Sequence, residues 1–240
     1  MDEPAREPAL NIPASIVAVI ASLVVVHAAA VLAPLEWRLW SIEQFAFIPA
    51  RLTVADSAPQ GLWMWLTYAL LHGDGTHLTV NALWLAIFGT PVVRRLGVAR
   101  FAMLSIAGAV GAAGLHLASH WGATTPMIGY SGVVSALTGA AARFAFVSGG
   151  GSRGIRFDGP RLSVVGTFLN RAPLGFVAVW MIANLIAGNG VLTPDGAQIA
   201  WEAHIGGFLV GLFLFGWFDP YPSLRSSTKA SDSPSELKER

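Results

Sequence analysis

The stretch IPASIVAVIASLVVVHAAAVLA, from Ile12 to Ala33, contains no charged residue. An α-helix rises about 1.5 Å per residue, so about 20 apolar residues cross the hydrocarbon core of a bilayer. The rest of the chain has the same character, because 54% of its 240 residues are hydrophobic and 12% are charged. A soluble domain carries roughly 25% charged residues. The sequence therefore predicts an all-α integral membrane protein.

Several further apolar segments are long enough to cross a bilayer. Six spans are predicted, at about 13–34, 77–97, 100–118, 129–147, 172–189 and 202–219. This divides the chain into an N-terminal segment (1–12), a six-helix membrane domain (13–219) and a polar tail (220–240) predicted to be disordered. The segment between the first two spans is rich in tryptophan, which is typical of a structure resting in the headgroup layer.

The basic residues indicate the orientation of these spans. Of the 15 lysines and arginines, 13 fall on one side of the predicted topology, and only Arg38 and Arg51 fall on the other. The positive-inside rule makes the basic side cytoplasmic, so both termini are predicted inside. A net charge of +1 gives no reason to expect a nucleic-acid partner. The lack of cysteine excludes disulfides and thiolate chemistry.

Polar residues of three different spans are predicted to lie at one depth. Asn81, Ser131 and His204 precede the charged residue that ends their span by 12 to 15 positions, about 18 to 22 Å along a helix axis. In a hydrocarbon core about 30 Å thick, all three lie about 10 Å below the outer surface. His77 lies one turn before Asn81 on the same helix face. Polar groups at this depth are costly unless they are paired or functional.

Small residues are predicted to bring two of these spans together. Such ridges allow helix backbones to approach closely, and they occur here at Gly132, Ala136 and Ala140 of span four and at Ala203, Gly207 and Gly211 of span six. Close packing would place the hydroxyl of Ser131 within hydrogen-bonding reach of His204. A serine beside a histidine is the minimal apparatus of acyl-transfer catalysis.

Three motifs in this order resemble the rhomboid intramembrane serine proteases over about residues 60–219: His77-Leu-Thr-Val-Asn81, Gly129-Tyr-Ser131-Gly132 and Ala203-His204-Ile-Gly206-Gly207. The resemblance implies a six-transmembrane-helix rhomboid-like bundle that cleaves single-span membrane proteins near the outer end of their membrane segment. It implies Ser131 as nucleophile, His204 as general base, His77 and Asn81 as oxyanion donors, and Gly129 as the glycine of the serine loop. His72 also matches a histidine common in this stretch. Substrate access is implied near span five, under a mobile cap at 188–201.

The orientation of His204 is left open by the sequence. Where the family often has an aromatic residue four positions after the nucleophile, this chain has Ser135, and one hypothesis is that its hydroxyl orients His204. We expect a dyad rather than a triad, because Glu202 lies two positions from His204 and does not face it on a helix. Asp195, in the preceding outer loop, remains a possible partner.

The same residues also bear on alternative functions and on the expected ligands. A non-proteolytic rhomboid-like protein that binds membrane clients is the alternative, and it would be expected to lack the serine or the histidine. A transporter is disfavoured because no inverted repeat is found. No cofactor is expected, and no metal site, because His116 and His120 have suitable spacing but no third ligand is apparent. The expected partners are the lipid bilayer and transmembrane substrates, and the expected location is a bacterial inner membrane.

Overall fold

The computed structural model describes residues 11–53, 61–147, 159–189 and 199–224. Regular structure in these ranges is helical, apart from isolated β-bridges at Phe47–Met127 and Arg161–Ser223. The prediction of an all-α protein is therefore confirmed. The longer helices are α1 (Ala14–Leu32), α2 (Leu35–Phe45), α3 (Gly75–Leu96), α4 (Val98–Ser119), α5 (Ser131–Ala142), α6 (Arg171–Gly188) and α7 (Trp201–Phe218). Short helical segments cover Ala50–Thr53, Met64–Thr67, Tyr68–Leu70 and Val164–Leu169.

Five of these helices, α1, α3, α4, α6 and α7, are long and apolar enough to cross a membrane. Their outer faces expose large apolar side chains, for example Leu32 (85% exposed), Trp217 (83%) and Val179 (69%). Apolar surface of this extent is unfavourable in water and favourable against lipid chains. The chain is therefore an integral membrane protein with several spans.

Helix α5 differs from the predicted fourth span. The prediction extended over 129–147, but the helix covers only Ser131–Ala142, 12 residues or about 18 Å, which is too short to cross the hydrocarbon core by itself. Every residue of α5 after Ser131 is buried. The helix is thus enclosed by its neighbours, and its first residue lies inside the bundle rather than at its surface.

Backbone contacts through small residues hold α5 against α7. A Cβ added at Gly207 would lie 2.0 Å from the carbonyl oxygen of Gly132, and one at Gly211 would lie 1.8 Å from that of Ala136. On the other helix, a Cβ at Gly139 would lie 2.3 Å from the carbonyl oxygen of Phe208. The two small-residue ridges therefore meet, and no larger side chain fits between them.

Helix α3 is fixed at its start and interrupted in its middle. The side chain of Asp74 caps the helix by accepting a hydrogen bond of 2.8 Å from the backbone N–H of His77. One π-helical turn at Leu85–Gly89 precedes Pro91. Proline lacks an N–H and crowds the carbonyl four residues earlier, so a regular α-helix cannot continue through this position.

Hydrogen bonds and ion pairs of charged side chains stabilise the end of the bundle that lies opposite to Ser131. Arg95 donates two hydrogen bonds to the carboxylate of Asp219, at 2.9 and 2.8 Å, and both side chains are fully buried. Arg161 donates to the same carboxylate at 3.2 Å. Arg143 donates to the carbonyl oxygens of Leu162 and Leu212. These contacts tie the ends of α3, α5 and α7 to the segment before α6.

At the other end of the bundle lie residues 33–53 and 61–74, the described parts of the segment between α1 and α3. Helix α2 exposes Trp37 and Trp40, as expected for an interfacial segment. Phe47 exchanges backbone hydrogen bonds with Met127, just before α5. Residues 190–198 of the predicted cap lie outside the described part of the chain, as do 1–10 of the N-terminal segment and 225–240 of the tail.

Candidate active site

Ser131 and His204, 73 positions apart in sequence, lie in direct contact. The distance between Ser131 Oγ and His204 Nε2 is 2.8 Å, within hydrogen-bonding range. Ser131 is the first residue of α5 and His204 is the fourth of α7. The contact follows from the packing of the two small-residue ridges, which align the first turns of these helices.

The second ring nitrogen of His204 contacts a residue that was not predicted. His204 Nδ1 lies 2.6 Å from Asn184 Oδ1 on α6. The amide nitrogen of Asn184 donates to the carbonyl oxygen of Trp180 at 2.8 Å, so the amide oxygen must be the atom that faces the histidine. The Nδ1–H of His204 then donates to Asn184, and Nε2 presents its lone pair to the hydroxyl of Ser131.

A single stripe of α6 faces α7, and Asn184 belongs to it. Val177 packs in a small cluster with Phe208 and Leu212. The ring of Trp180 stacks on Phe208 with centroids 4.5 Å apart. Gly188, at the end of the stripe, approaches Trp201 so closely that a Cβ would lie 2.5 Å from its ring. The spacing of three to four residues is that of one helix face, so the packing of α6 sets the position of Asn184.

These contacts test two of the three expectations about the orientation of His204, those for Ser135 and Glu202. The hypothesis that Ser135 orients the ring is wrong, because both ring nitrogens are already engaged by Ser131 and Asn184. Glu202 turns away from His204, as expected, and its carboxylate lies 2.7 Å from His116 Nδ1. Asp195 lies outside the described residues.

Gly129 and His77 lie against each other beside Ser131. Gly129 has a φ of +125°, a conformation that other residues rarely adopt. A Cβ at this position would lie 2.7 Å from His77 Nε2 and 3.7 Å from Ser131 Oγ. The glycine is therefore needed both for the backbone conformation and for the approach of the His77 ring.

Tyr68 anchors the loop that carries Gly129. Its carbonyl oxygen accepts a hydrogen bond from the N–H of Gly129 at 3.0 Å. Its buried hydroxyl donates to the carbonyl oxygen of Ala109 on α4 at 2.9 Å. The tyrosine thus links the serine loop to a membrane helix, a role that the sequence did not indicate.

Asn81 supplies an unused hydrogen-bond donor. It lies one turn beyond His77 on α3 and is 3% exposed. Among the described residues, its amide nitrogen has no hydrogen-bond partner. An unpaired buried donor is costly, and a functional site is one place where such a cost is retained. The first N–H groups of α5 also lack acceptors within their own helix.

His72 lies close to His77, with ring centroids 5.0 Å apart. Burial lowers the pKa of His72 to about 4, and the neighbouring His77 acts in the same direction. Its ring is therefore neutral near pH 7. Neither of its nitrogens has a hydrogen-bond partner among the described residues.

The arrangement has the parts required for acyl transfer. A hydroxyl faces an imidazole lone pair, and the imidazole is held from its other side by an amide oxygen. Hydrogen-bond donors from α3 and from the start of α5 lie on the same side of the bundle.

A separate group at the same end, His116, His120 and Glu202, could hold a metal ion.

Asn184 could have been found by applying the depth argument to span five. It lies four residues before the end of α6, and His204 lies three residues after the start of α7. Because the two helices are consecutive and antiparallel, these offsets correspond to nearly the same depth, about 6 and 4.5 Å from the respective helix ends. A polar residue in an apolar span is the sequence signal for such a role.

Comparison with known proteins gives a consistent family assignment. The rhomboid domain family matches residues 59–220. The chain is 30% identical to the rhomboid protease GlpG of Pectobacterium atrosepticum over 163 residues, which is 68% of this chain and 51% of that protein. It is 29% identical to the rhomboid protease GlpG of Yersinia pestis over 160 residues, 65% of this chain and 48% of that protein. The chain thus spans about half the length of these relatives.

Proposed function

This chain belongs to the rhomboid family, and from that premise we propose that it is an intramembrane serine endopeptidase. It cleaves other membrane proteins near the outer end of a transmembrane segment. The observation that carries the proposal is the continuous line of contacts from Ser131 to His204 to Asn184, at 2.8 and 2.6 Å, below one end of the bundle. The names of the relatives, rhomboid proteases, support the same activity.

The proposed reaction begins with attack of Ser131 Oγ on the carbonyl carbon of a substrate peptide bond. His204 Nε2 takes the hydroxyl proton as the C–O bond forms, and it then gives this proton to the leaving amine as the C–N bond breaks. The product is an ester between Ser131 and the substrate. A water molecule, deprotonated by the same nitrogen, hydrolyses the ester and restores the hydroxyl.

Asn184 is proposed as a positioning residue that acts through His204. Its amide oxygen accepts from Nδ1–H, which fixes the tautomer and the ring orientation and stabilises the imidazolium formed during attack. The catalytic group predicted as a dyad is thereby extended to Ser131, His204 and Asn184. The amide is neutral, so no buried carboxylate has to be kept charged at this depth.

The oxyanion of the tetrahedral intermediate is proposed to lie between α3 and the start of α5. His77 Nε2 lies beside Gly129, and the free amide of Asn81 lies one turn deeper. The first backbone N–H groups of α5 and its positive dipole end add to these donors. Gly129 keeps this space free of a side chain.

Substrate access is proposed beside α6, the outermost helix of the site. Only Pro173, Val177 and Gly188 of its residues are buried, so few contacts oppose its displacement. A transmembrane substrate moving in from the bilayer would meet this helix before His204.

We further propose a membrane domain over 13–219, both termini in the cytoplasm and a bacterial inner membrane as the location. The basic residues at the end opposite to Ser131 support this orientation.

The test is cleavage of a generic single-span membrane protein by the purified chain in detergent or liposomes. Wild type should produce two fragments, and Ser131→Ala and His204→Ala should produce none above background. Ser119→Ala is a matched control that should cleave normally, because the hydroxyl of this exposed serine donates to Leu115 of its own helix. Capture of the substrate without cleavage would favour the client-binding alternative. Equal cleavage by wild type and Ser131→Ala would refute the proposed nucleophile.

A further inference from the structure

Three potential metal ligands converge at the outer ends of α4 and α7. His116 and His120 lie one turn apart at the end of α4, with their rings stacked at 4.4 Å. Glu202 approaches them from the first turn of α7, with one carboxylate oxygen 2.7 Å from His116 Nδ1 and 3.5 Å from His120 Nδ1. One ligand atom from each residue lies within 4.8 Å of the other two.

The carboxylate of Glu202 is in an unusual electrostatic position. Its side chain is only 9% exposed, and a buried carboxylate requires a compensating positive charge. In the described ranges, the ion-pair partners of Glu202 are these two histidines, and no lysine or arginine joins them. The end of α4 adds negative potential from its terminal carbonyl groups. A buried carboxylate beside the end of a helix therefore makes this site suitable for a cation.

The ligand types select the kind of cation. Two imidazole nitrogens and one carboxylate oxygen form a three-ligand set that suits Zn²⁺, with water or another ligand in the fourth position. His120 is 44% exposed, so an ion can arrive from solvent and keep a water molecule there. In a tetrahedral zinc site the ligand atoms are separated by about 3.3 Å. Small side-chain rotations from the observed distances would reach this arrangement.

We propose that His116, His120 and Glu202 bind a divalent transition-metal ion, of which Zn²⁺ fits best. From the sequence we predicted no metal site, because the third ligand lies 86 positions after His116. A bound ion would join the outer end of α4 to the first turn of α7, two residues before His204. It would thereby stabilise the helix that carries the histidine. The site is separate from the proposed protease chemistry, since the ring nitrogens of His204 bond to Ser131 and Asn184 and the carboxylate of Glu202 bonds to His116.

The experiment uses the full chain, purified in detergent and freed of metal with a chelator. Co²⁺ is titrated as a spectroscopic substitute for Zn²⁺, and the visible absorption of protein-bound Co²⁺ is recorded. Zn²⁺ is then added to displace it. The variants are His120→Ala and Glu202→Gln, with His27→Gln as a matched control that removes a histidine from α1. Because His120 is partly exposed, its variant is expected to fold even if Glu202→Gln does not. Thermal unfolding of each metal-free variant shows whether it is folded.

The expected result is one Co²⁺ per chain in wild type and in His27→Gln, with displacement by Zn²⁺. Apparent affinity should fall at least about tenfold in His120→Ala and Glu202→Gln, since each removes one of three ligands. Zn²⁺ should raise the unfolding temperature of wild type and not that of His120→Ala. Absence of binding to wild type, or equal binding by all four proteins, would overturn the proposal. In that case the cluster is a hydrogen-bonded link between helices, or the ion binds elsewhere.

Discussion

Replacing Asn184 tests how His204 is oriented. Asn184→Leu keeps a similar volume in an apolar helix but removes the oxygen that accepts from His204 Nδ1–H at 2.6 Å. The ring would then be free to rotate or to adopt the other tautomer, which places a hydrogen rather than a lone pair toward Ser131. The variant should therefore be impaired in the chemical step.

The size of the expected loss in kcat follows from the reaction state in which the hydrogen bond between His204 and Asn184 is strongest. During attack His204 becomes positively charged, and a hydrogen bond to a charged group contributes about 1.5–3 kcal/mol. Since about 1.4 kcal/mol corresponds to a tenfold change in rate, kcat should fall roughly 10- to 150-fold. KM should change little, because Asn184 contacts the histidine and not the proposed position of the scissile bond.

The assay is steady-state cleavage of a single-span substrate, with kcat and KM measured separately. Asn189→Leu is the matched control, since Asn189 also donates to a backbone oxygen four residues earlier, at 2.7 Å, but is not bonded to His204. Asn184→Asp retains an acceptor and should recover part of the lost kcat. If Asn184→Leu cleaves at the wild-type rate, or if only KM changes, Asn184 does not position His204.

Three further predictions concern stability and are measured by thermal unfolding in detergent. Gly207→Ala places a Cβ on a backbone oxygen of α5 and should destabilise the bundle by about 1–3 kcal/mol or more; Gly175→Ala, with open space around it, should have little effect. Asp219→Ala removes the buried carboxylate shared by two arginines and should cost about 3–5 kcal/mol, whereas Glu43→Ala at a surface pair should cost less than about 1 kcal/mol. Asp74→Ala removes the cap of α3 and should cost about 1 kcal/mol. Donation from backbone N–H groups at the start of α3 lowers the pKa of Asp74. The difference in stability between wild type and Asp74→Ala should therefore be complete above a pH of about 4, and it should vanish as the pH falls through the lowered pKa.

Much of the fold could be predicted because the bilayer restricts what a chain can do. Long uncharged segments must be helices, since no water is available to satisfy their backbone groups. The small-residue ridges at Gly132 and Gly207 predicted which helices touch, and the structure places these two glycines in backbone contact. The predicted contact of Ser131 with His204 follows from that packing.

The remaining features depend on side-chain directions that sequence spacing does not give. Helix α5 is shorter than predicted because the apolar residues after Ala142 form turns rather than helix. Asn184 and Glu202 were assigned no role because each meets a residue of another helix, His204 and His116 respectively. Ser135 was given a role on position alone, and the structure assigns the ring nitrogens of His204 to other partners.

The most direct test of the central claim is covalent labelling of Ser131 by a fluorophosphonate, a reagent that reacts with activated serines. The purified chain contains several other serines in membrane helices, such as Ser22 and Ser105, so the labelled position is identified by mass spectrometry of its peptides. The account predicts a single adduct on Ser131, no adduct in His204→Ala and slower labelling in Asn184→Leu. Labelling of Ser131 at an equal rate in His204→Ala, or no labelling of Ser131 in a wild-type protein that cleaves substrate, would contradict it.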